Sequence, residues 1–212
     1  MRLAVAKWLA KEQEWKETKM VIKTELTGKF TKLAEGLRLK PYRCPAGKLT
    51  IGYGRNIEDM GISETEAEML FDNDWQKVEA ELDTDYPFIA KFSTVWHSIA
   101  CDMLYNLGET KFAKMKKMLA AIANHDRSEA LLEMLDSAWF GQVGNRSKLL
   151  FIAGWSLTEP YEVYYQCNQQ SGIINSKFKV AFGQWLNWRD GQKERYLARP
   201  RIAKLAKKLD LI

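Results

Sequence analysis

AEGLRLKPYRCPAGKLTIGYGRN (34–56) joins the end of a helix-forming arm to a glycine-punctuated, β-prone run. Gly36 is a natural helix stop, which leaves Glu35 at or near a helix end. Pro41, Pro45, Gly47, Gly52 and Gly54 then break residues 37–55 into short pieces such as KLTIGYG. This pattern predicts a small sheet of two or three strands with Ala46-Gly47 in a turn. Three chemically useful side chains stand in the segment at fixed intervals: Glu35, then Cys44 after eight intervening residues, then Thr50 after five more. A carboxyl group that carries a proton, opposite a group that activates water, is the equipment for cutting a glycosidic bond. Inverting enzymes set the two groups roughly 6.5–9.5 Å apart, a span that a helix end and a returning strand can supply. Glu35 would then protonate the departing oxygen from the base of a cleft. Cys44 would lie beside the attacking water, and the Thr50 hydroxyl would hold that water.

Upstream, residues 1–34 are rich in Lys, Glu, Ala and Leu and contain no proline. They read as one or two helices, broken near Thr27-Gly28. Downstream, SETE (63–66) spells a capping box. Ala67, Leu70, Phe71 and Val78 recur after it at helical spacing. A long helix is therefore expected over about 63–83, with Pro87 marking the next boundary. Residues 88–155 read as several short helices with turns at Gly108, Asn124, Gly141 and Gly144. Residues 156–212 read as helical, interrupted near Pro160, Ser171-Gly172 and Pro200. No internal repeat or low-complexity tract is visible. The expected class is α+β and mainly helical.

Charge is placed unevenly. Residues 193–212 hold seven cationic and two acidic side chains, so this end carries the whole net charge of +5. A neutral body with a basic end suits attraction to an anionic surface such as cell wall, lipid headgroups or nucleic acid, the alternative being a solvated helix end with no partner. In RIAKLAKKLDLI (201–212), Ile202, Leu205 and Leu209 fall on one helical face with Lys204, Lys207 and Lys208 around it. The three cysteines, Cys44, Cys101 and Cys167, are odd in number and widely spaced. That argues against a disulfide framework or a zinc knuckle and for synthesis in a reducing compartment. The first apolar run, LAVA, is too short for a signal-peptide core or a membrane span. His97 and His125, the only histidines, sit in no Ser or Cys partner motif and read as structural or surface residues. Cys101 and Cys167 read as core residues. Trp155, Tyr161, Tyr164, Tyr165, Trp185 and Trp188 read as packing for the C-terminal extension, with stacking on sugar rings as the alternative.

The intervals and their flanking strings resemble the phage-type lysozymes, glycoside hydrolase family 24. That family carries a Glu, then an Asp or Cys, then a Thr at this spacing. EGLRLKPY (35–42) and TIGYGRN (50–56) look like its flanking sequence. GISETEAEMLFDND (61–74), MLYNLGET (103–110) and SAWFGQVGNRSK (137–148) continue the match in the same order. The resemblance covers about residues 30–155. It leaves residues 1–29 as an N-terminal helical segment and 156–212 as a basic helical extension.

The resemblance implies a two-lobed fold, with a small β lobe at about 36–60 and a helical lobe at about 88–155, joined by the long helix. It implies an N-acetylmuramidase that hydrolyses the β-1,4 bond between N-acetylmuramic acid and N-acetylglucosamine in peptidoglycan. Catalysis would fall to Glu35, Cys44 and Thr50. Tyr105, Asn106 and Trp139 would line or support the sugar cleft, and Arg146 would pair with the catalytic Glu. No cofactor, metal or nucleic acid is implied, and a monomer is expected. Synthesis in the host cytoplasm would be followed by release through a holin-type pore or delivery on a particle. Cys44 stands where the best-studied member has Asp, so it must act as a thiolate of lowered pKa, a nucleophile or a positioner. Arg55 stands where some members have His, and Asp74 is its expected ion-pair partner. The alternatives are a lytic transglycosylase, which needs only one acid/base Glu, and an inactive wall-binding or virion structural protein.

Overall fold

A computed structural model describes residues 11–17, 28–188 and 191–212. Two compact units divide the chain, one up to Met69 and one from Leu70 onward. In the first unit, residues 11–17 and 28–35 are helical. The expected break at Thr27-Gly28 lies partly outside the described residues. Strands β1 (Arg38–Arg43), β2 (Leu49–Gly52) and β3 (Arg55–Asn56) form one antiparallel sheet in that order. Tyr42 faces Thr50, and Arg43 faces Leu49. The ladder is irregular between Arg38 and Tyr42. Pro41, which cannot donate to a ladder, lies in that interval.

The β1–β2 turn spans Pro45 to Gly47 and is closed by Gly47 N–H donating to Cys44 O at 2.8 Å. Gly47 has φ +80°, a conformation that glycine adopts without steric cost. A short helix α1 (Ile57–Met60) follows β3, and the Asn56 carboxamide oxygen accepts from the N–H groups of Glu58 and Asp59 to cap it.

Helix α2 runs Glu64–Asp85, two residues past the expected end. The capping box is present in both directions: Ser63 N–H donates to Glu66 Oε2 at 2.7 Å, and Glu66 N–H donates to Ser63 Oγ at 3.3 Å. Of its residues only Leu82 is buried, and Met69, Leu70 and Phe71 are exposed. The apolar spacing of its first half therefore does not mark a core-facing stripe.

The second unit contains helices α3 (Pro87–Phe92), α4 (Thr94–Leu107), α5 (Glu109–Phe112), α6 (Lys116–Ala123), α7 (Arg127–Asp136), α8 (Ala138–Gln142) and α9 (Asn145–Ser156). Gly108, Asn124 and Gly144 sit at helix boundaries as expected. Gly141 does not: it lies inside α8. The extension adds α10 (Pro160–Gln166), α11 (Ser171–Leu186), α12 (Gln192–Leu197) and α13 (Pro200–Lys208). Helix α9 packs against α11, α4 and α7. Their shared core is aromatic: Phe151 meets Phe178 and Trp185 with ring centroids 5.4 and 5.8 Å apart. Trp185 also stacks on Tyr196 at 4.5 Å. Cys101 and Cys167 are buried.

The aromatic group expected to pack the extension divides. Trp185 is fully buried, whereas Tyr161, Tyr164, Tyr165 and Trp188 are exposed. The basic end is likewise part of the packed body. Ile202 and Ala206 of α13 are buried, so its apolar face is occupied from within. Arg195 pairs with Glu129 at 2.7 Å, and Arg199 pairs with Glu133 at 2.7 Å and Asp136 at 2.9 Å. Arg201 donates to Asp136 O. All four acceptors belong to α7 or its end. No described helix is long and apolar enough to cross a membrane.

Candidate functional site

The chemistry-bearing residues of 34–56 are arranged on the first unit by its backbone. Glu35 ends the helical residues 28–35, and its carboxylate lies directly over the β2–β3 turn. A Cβ placed on Gly54 would sit 2.7 Å from Glu35 Oε2. Gly54, with φ +77°, therefore serves both the turn and the seat of the acid. Glu35 itself is exposed.

Cys44 leaves β1 at the head of the tight turn. Its N–H donates to Lys48 O at 3.0 Å. Its thiol is pulled below the usual range by the Lys48 backbone amide first, with the Ala46 amide and the Thr50 hydroxyl helping and partial burial opposing. Peptide N–H groups converging on one sulfur favour its anion, because they solvate charge without having to reorganise. Arg43 is not part of this effect. Its guanidinium donates to Gly47 O at 2.7 Å and lies 3.6 Å from Glu58. Thr50 is 3% exposed, and its hydroxyl donates to Lys48 O at 3.0 Å. Cys44 and Thr50 are thus brought together in the β1–β2 hairpin, and Glu35 is seated at the β2–β3 turn of the same sheet.

Arg55 and Asp74, which belong to different units, each have a local ion-pair partner. Arg55 lies 2.5 Å from Glu66 and also donates to Gly61 O, while Asp74 pairs with Lys77 one turn along its own helix. Both partners are near in sequence, so each ion pair forms with little chain to order.

In the second unit, Trp139 Nε1 donates to Asn106 Oδ1 at 2.7 Å, fixing two of the expected cleft residues against each other. Tyr105 is 40% exposed and packs against Phe71 and Trp75, with centroids 5.6 and 6.0 Å away. Arg146 forms a forked pair with Asp102, its closest contact being 2.6 Å. This partner pushes the guanidinium further up and keeps it cationic. Sequence reasoning gave Arg146 only a glutamate as its partner and missed Asp102. The signal was an acid one residue before MLYNLGET. Beside this pair opens a cavity of about 550 Å³, lined also by Leu149, Tyr161, Tyr164 and Ile174. Three of these come from the extension, which the resemblance leaves aside.

One further cluster was invisible in sequence. His97 Nε2 lies 2.8 Å from Asp83 Oδ1, and its Nδ1 lies 3.8 Å from Cys101 Sγ. The order is that of a thiol triad, but the sulfur is wrong for it. Burial, followed by Glu79, Asp83 and Asp102, pushes the Cys101 thiol up to about 12. Cys101 is a protonated core residue, and His97 ties α4 to α2.

Comparison with known proteins identifies the family of this chain. The phage lysozyme family model matches residues 32–150, more than half of the chain. Over 82 residues the chain is 37% identical to an endolysin of Acyrthosiphon pisum secondary endosymbiont phage 1. That alignment takes in 37% of this chain and 54% of the relative, so the chain spans about half the length of the relative it matches. By the extent of the family match, this chain belongs to the phage lysozyme family.

Proposed function

We propose that this phage lysozyme family member is an endolysin-type N-acetylmuramidase that cuts the β-1,4 bond between N-acetylmuramic acid and N-acetylglucosamine in peptidoglycan. The observation that carries the reading is the amide-held thiol of Cys44, with Thr50 beside it, on the same sheet that seats Glu35. Glu35 donates its proton to the glycosidic oxygen as the bond from that oxygen to the anomeric carbon breaks. Water attacks the anomeric carbon and gives its proton to the Cys44 thiolate, which becomes a thiol. Solvent then returns the proton to Glu35. Tyr105, Asn106 and Trp139 bind or brace the sugars, and the Asp102-held Arg146 contributes a fixed positive charge.

The lowered thiol favours hydrolysis over the transglycosylase alternative, because a thiolate can take the proton of water. The two differ in product. Hydrolysis releases a reducing end, whereas transglycosylation leaves a 1,6-anhydro sugar detectable by mass analysis of muropeptides. Glu35→Gln should slow the clearing of a turbid cell-wall suspension by about a thousandfold. Unchanged clearing would remove Glu35 from the mechanism. A pure wall-binding role would show no clearing by either protein.

The chain acts as a monomer, made in the host cytoplasm and reaching the wall through a holin-type pore or on a particle. Lys204, Lys207 and Lys208 are exposed on α13 and add attraction to an anionic envelope. Retention on cell wall should accordingly fall as salt rises. Retention independent of salt would remove that role.

A further inference from the structure

A second cavity of the helical unit, about 490 Å³, lies among α3, α7, α9 and the end of α11. We propose that it is a second carbohydrate-binding site, taking an N-acetylated sugar of a glycan strand. Its size falls within the range of clefts that enclose small molecules. Its lining suits a pyranose, which has a flat apolar face and a rim of hydroxyl and amide groups.

The apolar part is a corner of two indoles. Trp155 and Trp188 meet edge to face, with centroids 5.3 Å apart and planes at 85°. Arg127 lies over the Trp155 ring at 5.4 Å, and the Trp155 Nε1–H is directed to Gln184 at 3.3 Å. Trp155 is thereby fixed in orientation. Trp188 remains 52% exposed and offers ring surface to a ligand. A large exposed aromatic beside a cavity is costly to leave bare and well suited to stacking.

The polar lining is committed in part: Asp126 accepts from Glu129 N–H, and Ser128 bonds to the Tyr196 hydroxyl. The side chains of Ser93 and Asn124 make no hydrogen bond to the described residues, and Ser93 leaves α4 without a side-chain cap. Between them they offer a hydroxyl and a carboxamide, the groups that read sugar hydroxyls and an acetamido group. The cavity is also bordered by strained backbone. His125 and Leu157 both have φ +56°, a left-handed conformation disfavoured for side chains of their size. Leu157 and Trp188 lie beyond residue 150, so the extension builds part of the site.

The wall-hydrolase reading is used here only to choose the sugar. The test is to titrate tri-N-acetylchitotriose into full-length protein labelled with 5-fluorotryptophan and follow the fluorine signals of Trp155 and Trp188. Both signals should move and saturate. Trp188→Ala should weaken the transition followed at Trp155 by about tenfold. Asn124→Ala, a change at an exposed position, should weaken the same transition and guards against misfolding of the tryptophan variant. Static Trp155 and Trp188 signals would overturn the proposal, whether or not Trp75 and Trp139 respond. So would signals that move with unaltered affinity in both variants. Loss of the catalytic assignment, read from Glu35→Gln on cell wall, would leave these signals untouched.

Discussion

The two units are held by different physics. Among the described residues of the first, Thr50 is the only one buried. Its sheet is tied by polar contacts instead: Lys48 to Asp59 at 2.8 Å, Leu49 N–H to Glu58 at 2.8 Å, Arg55 to Glu66, and the Asn56 cap. The second unit is organised by fully buried rings, Trp96, Phe112, Phe151, Phe178, Phe182 and Trp185. Exposed ion pairs contribute little each, whereas a buried aromatic contributes several kcal/mol. The lesson is a division of labour. The residues proposed for catalysis lie where backbone amides and small turns determine position, and the bulk of the stability lies elsewhere.

The sharpest way to break this contrast is in the core. Phe151→Ala should cost about 3–5 kcal/mol, read as a lower urea midpoint, because it empties a site shared by α9 and α11. A loss below about 1 kcal/mol would show that the aromatic core does not dominate. Gly54→Ala should reverse the pattern. A methyl there meets the Glu35 carboxylate and forces a left-handed alanine, so wall clearing should fall about a hundredfold. The strain adds only roughly 1–2 kcal/mol to unfolding. Equal, small effects on both readouts would mean that the acid is not seated by the turn.

The smallest effect should come from Thr50→Val. The hydroxyl is one of several contacts lowering the Cys44 thiol, and the backbone amides remain. The pH dependence of Cys44 alkylation should therefore shift to higher pH, but stay below that of an ordinary thiol. The linked stability has a definite sign. A thiol lowered by folding stabilises the fold above the unfolded thiol's value, and this contribution is lost as pH falls through the folded one.

The architecture could be read from sequence wherever a local rule governed it. Gly36, the Ser63–Glu66 box and Gly144 each act within a few residues, and each marks its boundary. The spacing of Glu35, Cys44 and Thr50 could be read in the same way, because one hairpin and one turn place all three. The failures are long-range. Arg146 finds Asp102 across 44 residues, and Arg199 finds Glu133 across 66. Nothing in a linear string pairs such charges. Arg55 pairs with Glu66, an acid closer along the chain than Asp74. The exposed tyrosines of α10 and the buried Trp185 look alike in composition. Only the packing of α9 against α11 separates them.

The clasp between the final helices and α7 bears on how this protein can be taken apart. Rings contributed by 178–185 roof Phe151, and three arginines near the terminus rivet them down through Glu129, Glu133 and Asp136. A shortened gene product ending where family likeness stops would present that aromatic floor to water and clump. Grafting the enzyme-like portion onto another carrier would succeed only if its closing strap travels with it.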